Sequence, residues 1–498
     1  MTLTMGDSPV ETHLFVNGEA RPATGNRRYA LHNPARPEEL VGHAAAGSPE
    51  DVDAAVRAAH AAYPSWVALS YAERADHLTK IADALTADAE DLAARARLFC
   101  REHGKILKEC QLEMARLGDR FRLTASYADR LATDEHLTGP PFDTIITRQP
   151  RGVAALIVPW NWPLSILGAK LPQALMAGNT VVVKPSSNSA LAPTLTLHLM
   201  ARLLPPGVIN VVTGAASEIG DALVTHPQVR FVNFTGSDTV GRHIMAQAAR
   251  NLTPVTLELG GNDAAIICAD AHLDADAFQR MYLGAFMSTG QICMALKRLY
   301  VHRSRYDEVV EGLSAACDRA VVGDGLLDET RMGPLNNAKQ LETVTGLIDE
   351  ARSKGADLRE LGHVPDPDLY ATGYFQKPVL ALDPDPTLKL VTEEQFGPAL
   401  PILPFETEDE AIAKANDSRF GLCSSVWTED RDRATALARR LEAGYTYLNA
   451  HGPTAQDSRG PFGGVKQSGL GRNLGYEGII QFQSSHSISG PASWLFPN

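Results

Sequence analysis

From about residue 151 the chain falls into short apolar runs separated by helix-length segments. The runs Val153 to Val158, Thr180 to Val183, Val208 to Val212, Val229 to Phe234 and Pro254 to Leu257 are strand candidates. Their alternation with helical patterns predicts β-α-β units and a doubly wound parallel sheet. Right-handed crossovers gather the carboxyl ends of such strands on one edge, where ligands bind. The segments just after strands are Pro159 to Pro163, Lys184 to Ser187 and Thr235 to Gly241. A second alternating region, roughly 262 to 460, offers strands at Ala264 to Ile267, Arg298 to Val301, Leu400 to Phe405 and Tyr445 to Leu448. Two α/β lobes with a cleft between them are expected. The region before residue 151 reads as mostly helical. Ser48-Pro49-Glu50-Asp51 forms a capping box with proline at the first helical position, followed by Val52, Ala55, Val56 and Ala59 at helical spacing. Leu78, Ile81, Ala82 and Leu85 repeat that pattern. The tail from Ile479 to Ser489 alternates imperfectly, as an edge strand does.

Composition narrows the class. At roughly 150 residues per domain, 498 residues make about three folding units, and 44% hydrophobic with 21% charged residues is ordinary globular usage. The balance of 46 basic against 59 acidic residues gives a net charge of -13, which disfavours nucleic acid and anionic lipid as partners. The six cysteines are scattered without a C-x-x-C pair, so neither a disulfide scaffold nor a metal site is expected. With no basic-then-apolar leader at the start, the cytoplasm is the expected compartment. The uncharged stretch Gly152 to Ala169 has the length of a membrane span, but Pro159 and Pro163 interrupt it. It reads as a buried strand, a turn and a helix.

The candidate chemistry lies in the loops. Cys293, in Gly290-Gln291-Ile292-Cys293, is a nucleophile if a base and an oxyanion donor accompany it; otherwise it is one more small buried hydrophobe. Glu258, a carboxylate within an apolar run, is either a structural cap or a general base whose pKa burial raises. Asn161, set between two tryptophans and two prolines, is either a turn residue or an amide donor for that oxyanion. Gly469-Leu470-Gly471 with Gly475 approximates a dinucleotide fingerprint, but its spacing is wrong.

Seven motifs in order resemble the aldehyde dehydrogenase superfamily. They are Pro159-Trp160-Asn161-Trp162-Pro163, Lys184-Pro185-Ser186, Phe234-Thr235-Gly236-Ser237 with Gly241, Leu257 to Gly261, Gly290 to Cys293 with Arg298, Glu394 to Pro398, and Pro461 to Gly464. The resemblance spans about residues 13 to 490. It implies two Rossmann-like α/β lobes, for cofactor and catalysis, and a small β oligomerisation element. Residues 1–127 and 151–260 would bind NAD(P), 261–460 would be catalytic, and 128–150 with 479–498 would join subunits into homodimers or homotetramers.

By the same resemblance Cys293 attacks an aldehyde, Asn161 and the Cys293 N–H hold the oxyanion, Glu258 activates water against the thioester, and Lys170 relays protons. Lys184 matches an adenosine-ribose contact; Gly236, Ser237 and Gly241 match the turn beneath the diphosphate; Trp160 and Leu259 line the cofactor cleft; Glu394 and Phe396 position the nicotinamide ribose and ring. Ser187 stands where NAD-preferring members often carry glutamate, so NAD or NADP is expected. Trp162, Ile166, Ile292, Met294, His451 and Phe462 match the substrate tunnel. That set holds no arginine or lysine for a second carboxylate, which favours an apolar aliphatic or aromatic aldehyde over a semialdehyde. Two alternatives remain. A coenzyme A-acylating relative would usually lack Glu258, and a silent binding protein would have no need of Cys293, Glu258, Asn161 and Lys184 together.

Overall fold

The computed structural model describes residues 9–139 and 141–495. Two large sheets dominate it. The first has eight strands in the order Gly469–Leu470, Val255–Glu258, Val229–Thr235, Val153–Ile157, Thr180–Lys184, Ile209–Val211, Leu14–Val16, Glu19–Arg21. Its five inner strands run parallel. Helices cover both faces, so these strands read as continuous apolar runs; Val181, Val182 and Val183 are all fully buried. Strand order reverses between Val153–Ile157 and Val229–Thr235, which are neighbours although many residues separate them. A crevice opens beyond the carboxyl ends at such a reversal.

The second sheet has seven strands, ordered Asp357–Glu360, Val379–Leu382, Ala399–Phe405, Leu296–His302, Asp263–Ile267, Cys423–Trp427, Tyr445–Leu448. All pair in parallel except the first. A third, antiparallel sheet joins Gln483–Gly490 to Asp143–Pro150 and Glu135–Leu137.

The capping box forms: the Ser48 hydroxyl accepts from Asp51 N–H at the start of the Pro49–Val67 helix, and Asp51 Oδ2 accepts from Ser48 N–H at 3.0 Å. The apolar positions of this helix and of Tyr71–Ala87 face the core.

Two expectations need correction. The region before residue 151 does not begin helical: five strands, Val10–Thr12, Leu14–Val16, Glu19–Arg21, Arg28–Asn33 and Arg36–Ala45, precede the first long helix. The missed signal is Asn17-Gly18, whose φ angles of 54° and 85° make the left-handed two-residue turn of a tight hairpin. The tail strand also begins later than its alternation suggests, because Gly475–Ile480 is a helix that buries Ile479.

Candidate functional site

The reversal crevice is flanked by the turn after Val153–Ile157 and the turn after Val229–Thr235. The first turn is held unusually firmly. Glu113 Oε1 accepts from the backbone N–H of Leu164 and Ser165 at 2.8 and 2.9 Å, covering the start of the Pro163–Gly168 helix. Its other oxygen pairs with Lys105 Nζ at 2.6 Å, and both side chains are fully buried. Lys105 Nζ also lies 3.9 Å from the centre of the Trp162 ring. Asn161 is thereby fixed, and its Nδ2 donates to Gln291 O at 2.9 Å, tying the turn to the loop that carries Cys293. An amide nitrogen has two hydrogens, so one remains for an oxyanion.

The cysteine loop stores strain. Ser288 and Thr289 adopt left-handed φ angles of 53° and 57°, a conformation that costs non-glycine residues roughly 1–2 kcal/mol each. Glu109 Oε1 accepts from Ser288 N–H at 2.9 Å, Thr289 Oγ1 donates to Gly333 O at 2.9 Å, and Lys297 Nζ donates to the Ile292 and Cys293 carbonyls at 2.9 and 2.5 Å. Cys293 is half-buried, and desolvation pushes its thiol up to about 12 despite nearby Lys297. It therefore rests protonated and needs a base.

Bases are at hand. Burial raises the Glu258 carboxyl to about 8, opposed by Lys170, Asn473 and Arg472. Burial lowers Lys170 to about 7, opposed by Glu258 and Cys293. A chain of amides connects them: Lys170 Nζ donates to Asn233 Oδ1, Asn233 Nδ2 to Asn473 Oδ1 at 2.8 Å, and Asn473 Nδ2 to Glu258 Oε1 at 3.0 Å. Glu258 Oε2 is buried without a partner. Neither Asn233 nor Asn473 stands out in the sequence; each is an unremarkable amide far from its partner along the chain.

One cavity is lined by Asn161, Lys170, Glu258 and Cys293 together, with Trp162, Ile166, Ile292, Met294 and Phe462. His451 is not among its lining residues. It sits behind the wall, with Nδ1 2.9 Å from Ser425 Oγ and its ring 5.4 Å from that of Tyr447, and burial holds it neutral at about 3. The lining instead takes Pro453, Thr454 and Gln456 from the following loop. The cavity also takes cations from outside the matched set. Arg116 and Arg120, one turn apart on the Leu107–Ala125 helix, both line the cavity.

The residues on the first sheet's carboxyl edge fit a dinucleotide. Lys184 is buried and lowered to about 8 by desolvation, and its Nζ donates to the Pro185 carbonyl at 3.3 Å. Ser237 caps the Asp238–Ala248 helix, leaving an N-terminus suited to an anion. A Cβ on Gly241 would lie 2.5 Å from Leu259 Cδ2, so a larger residue there would have to push the Leu259 side chain aside. Trp160 and Phe396 meet edge to face at 5.6 Å, and Glu394 Oε1 accepts from Gly261 N–H at 3.1 Å and lies 3.4 Å from Lys297 Nζ. Ser187 is half-buried in the loop after Lys184. Gly469-Leu470 is itself an edge strand, antiparallel to the strand bearing Glu258. Among the described residues, no group of three or more His, Cys, Asp or Glu side chains is arranged to hold a metal, and no helix is long and apolar enough to cross a membrane.

Residues 21–488 match the aldehyde dehydrogenase family model. A geranial dehydrogenase of Castellaniella defragrans is 39% identical over 481 residues, covering 96% of this chain and 98% of its own length. A betaine aldehyde dehydrogenase of Staphylococcus aureus, solved in complex with NAD+, superposes with a TM-score of 0.89 at 32% identity over 98% of this chain and 97% of its own. An NADP-dependent enzyme of E. coli gives 0.90 at 33% identity, over 97% and 98%. The chain belongs to the aldehyde dehydrogenase family.

Proposed function

We propose that the protein oxidises an aldehyde with an apolar aliphatic or aromatic body to the carboxylic acid, with NAD or NADP as cofactor and water as acyl acceptor. The observation that carries this reading is the convergence of Cys293, Asn161, Glu258 and Lys170 on one mostly apolar cavity beside a dinucleotide-compatible sheet edge. Cys293 loses its proton to the Glu258–Lys170 network, and its sulfur bonds to the aldehyde carbon. The Asn161 amide and the Cys293 N–H stabilise the oxyanion. Bound NAD or NADP supplies the hydride acceptor that permits oxidation to the thioester. Glu258, acting through Oε2, then takes a proton from water, whose oxygen bonds to the acyl carbon as the carbon–sulfur bond breaks. Lys184 would hold the adenosine ribose, Gly236, Ser237 and Gly241 the diphosphate, and Glu394 and Phe396 the nicotinamide ribose and ring, with Trp160 and Leu259 lining the cofactor cleft.

Residues 1–127 and 151–260 serve as the cofactor lobe in this reading, and 261–460 as the catalytic lobe. Exposed Leu137 and Ile488 on the third sheet, and Phe142 just before its Asp143–Pro150 strand, support the use of this sheet, within 128–150 and 479–498, for dimer or tetramer assembly. Six free thiols accord with a reducing cytoplasm.

Reduced-cofactor absorbance against an aldehyde panel, with Cys293→Ala as inactive control, tests the assignment. Turnover without coenzyme A is expected; strict dependence on it would assign the acyl-transferring reaction, and no turnover at all would leave a silent protein. Ser187 predicts that the NADP form retains at least about one-hundredth of the NAD efficiency, a gap of about 2.7 kcal/mol. A larger preference for NAD would refute that role for the position.

A further inference from the structure

The cavity has two chemically distinct ends. At the buried end lie Glu258 and Lys170, followed by the apolar side chains around Cys293. At the open end one helix face contributes Leu112, Arg116, Leu117 and Arg120, with Arg116 exposed and Arg120 half-buried. Neither arginine has an ion-pair partner among the described residues. By contrast Arg122, on the same helix, pairs with Asp83 at 2.8 Å. Arg120 Nη2 donates to Gln456 Oε1 at 3.3 Å, while its Nη1 is buried without any acceptor. Like charges four residues apart on a helix repel, and a buried guanidinium nitrogen without an acceptor is costly. Both costs persist here in a chain whose acidic residues outnumber its basic ones.

We propose that this mouth recognises a carboxylate at the far end of the substrate, so that the preferred aldehydes are ω-oxo acids whose apolar chain spans the tunnel between Arg120 and Cys293. The proposal rests on the cavity being the aldehyde site. A guanidinium fork matches a carboxylate in geometry as well as charge. Arg120 Nη1 supplies a donor already stripped of water, and Arg116 adds a second positive charge at the rim. The apolar lining between the ends explains why the motif-derived tunnel residues, taken alone, suggest a neutral aldehyde.

The test compares hexanal with 6-oxohexanoate and nonanal with 9-oxononanoate on the full-length protein. At one chain length or both, kcat/KM for the oxo acid is expected to exceed that for the matched aldehyde at least about tenfold, mainly through KM, with the advantage shrinking as salt is added. Arg120→Met is expected to cut that selectivity ratio about tenfold, and Arg120→Lys to restore part of it. Equal or better use of the neutral aldehyde at both lengths, or an Arg120→Met variant with an unchanged ratio, would overturn the proposal while leaving the aldehyde reading intact. Failure of the wild type on all four compounds and on the wider aldehyde panel would instead overturn the reading on which it rests.

Discussion

Glu258→Gln is expected to leave a burst of about one reduced cofactor per active site and then slow steady turnover by roughly 10²–10⁴-fold, the usual contribution of a general base. Glutamine keeps the Oε1 acceptor for Asn473, which holds the side chain at 3.0 Å, but replaces Oε2, which is buried without a partner. Thioester formation would continue with the proton leaving Cys293 by way of Lys170, whereas hydrolysis would lack an acceptor for the water proton. The pH profile gives an independent reading. Desolvation raises the Glu258 carboxyl to about 8, so it carries its proton below that pH and cannot accept another. Steady-state kcat should therefore climb as pH rises through about 8 and level above it, and the climb should vanish in Glu258→Gln. Rapid steady turnover in the variant, or the same climb retained, would remove Glu258 as the deacylation base.

The second large effect is on stability. Lys105→Met leaves the Glu113 carboxylate buried without its cation, and removal of one partner from a buried pair costs about 3–5 kcal/mol. The loss should be greater than one from packing alone, because Glu113 also fixes Leu164 and Ser165, and Lys105 rests on the Trp162 ring. Denaturant midpoints measure the first effect; a fall in kcat in whatever protein remains folded reports the loosened Asn161 turn. A midpoint matching wild type, with unchanged kcat, would show that the pair does not organise the turn.

These two sites differ in how readable they are. Glu258 ends a short apolar strand, and Asn161 and Cys293 lie in short loops next to strands, so their position at a sheet edge follows from chain pattern. The Leu107–Ala125 helix offers no such clue. Its Glu109, Glu113, Arg116 and Arg120 look like the solvated face of an ordinary helix. Two of them are buried and bond to backbone at Ser288, Leu164 and Ser165, and the other two line the cavity that holds Cys293. Partners so distant in sequence leave no local periodicity. The same holds for Asn233 and Asn473, whose roles exist only once the strand Val229–Thr235 and the segment after Gly469–Leu470 come together. His451 shows the opposite error: a histidine between site motifs looks functional, yet the loop turns it away toward Ser425. The opening strands were obscured because Asn17-Gly18 separates runs only three residues long.

The first sheet is finished at its two margins by pieces far apart in the sequence, Leu14–Val16 with Glu19–Arg21 on one side and Gly469–Leu470 on the other. A ribosome adding about 5–20 residues per second takes about 10–40 s to travel from the strand bearing Glu258 to its last neighbour. Throughout that interval the strand presents a free hydrogen-bonding edge, the feature through which nascent chains most readily adhere to one another. The eight-stranded sheet is thus not a module that can be cut out after residue 260 and made alone. The sheet is complete only once Gly469–Leu470 has been added, and Glu258 meets Asn473 only after that.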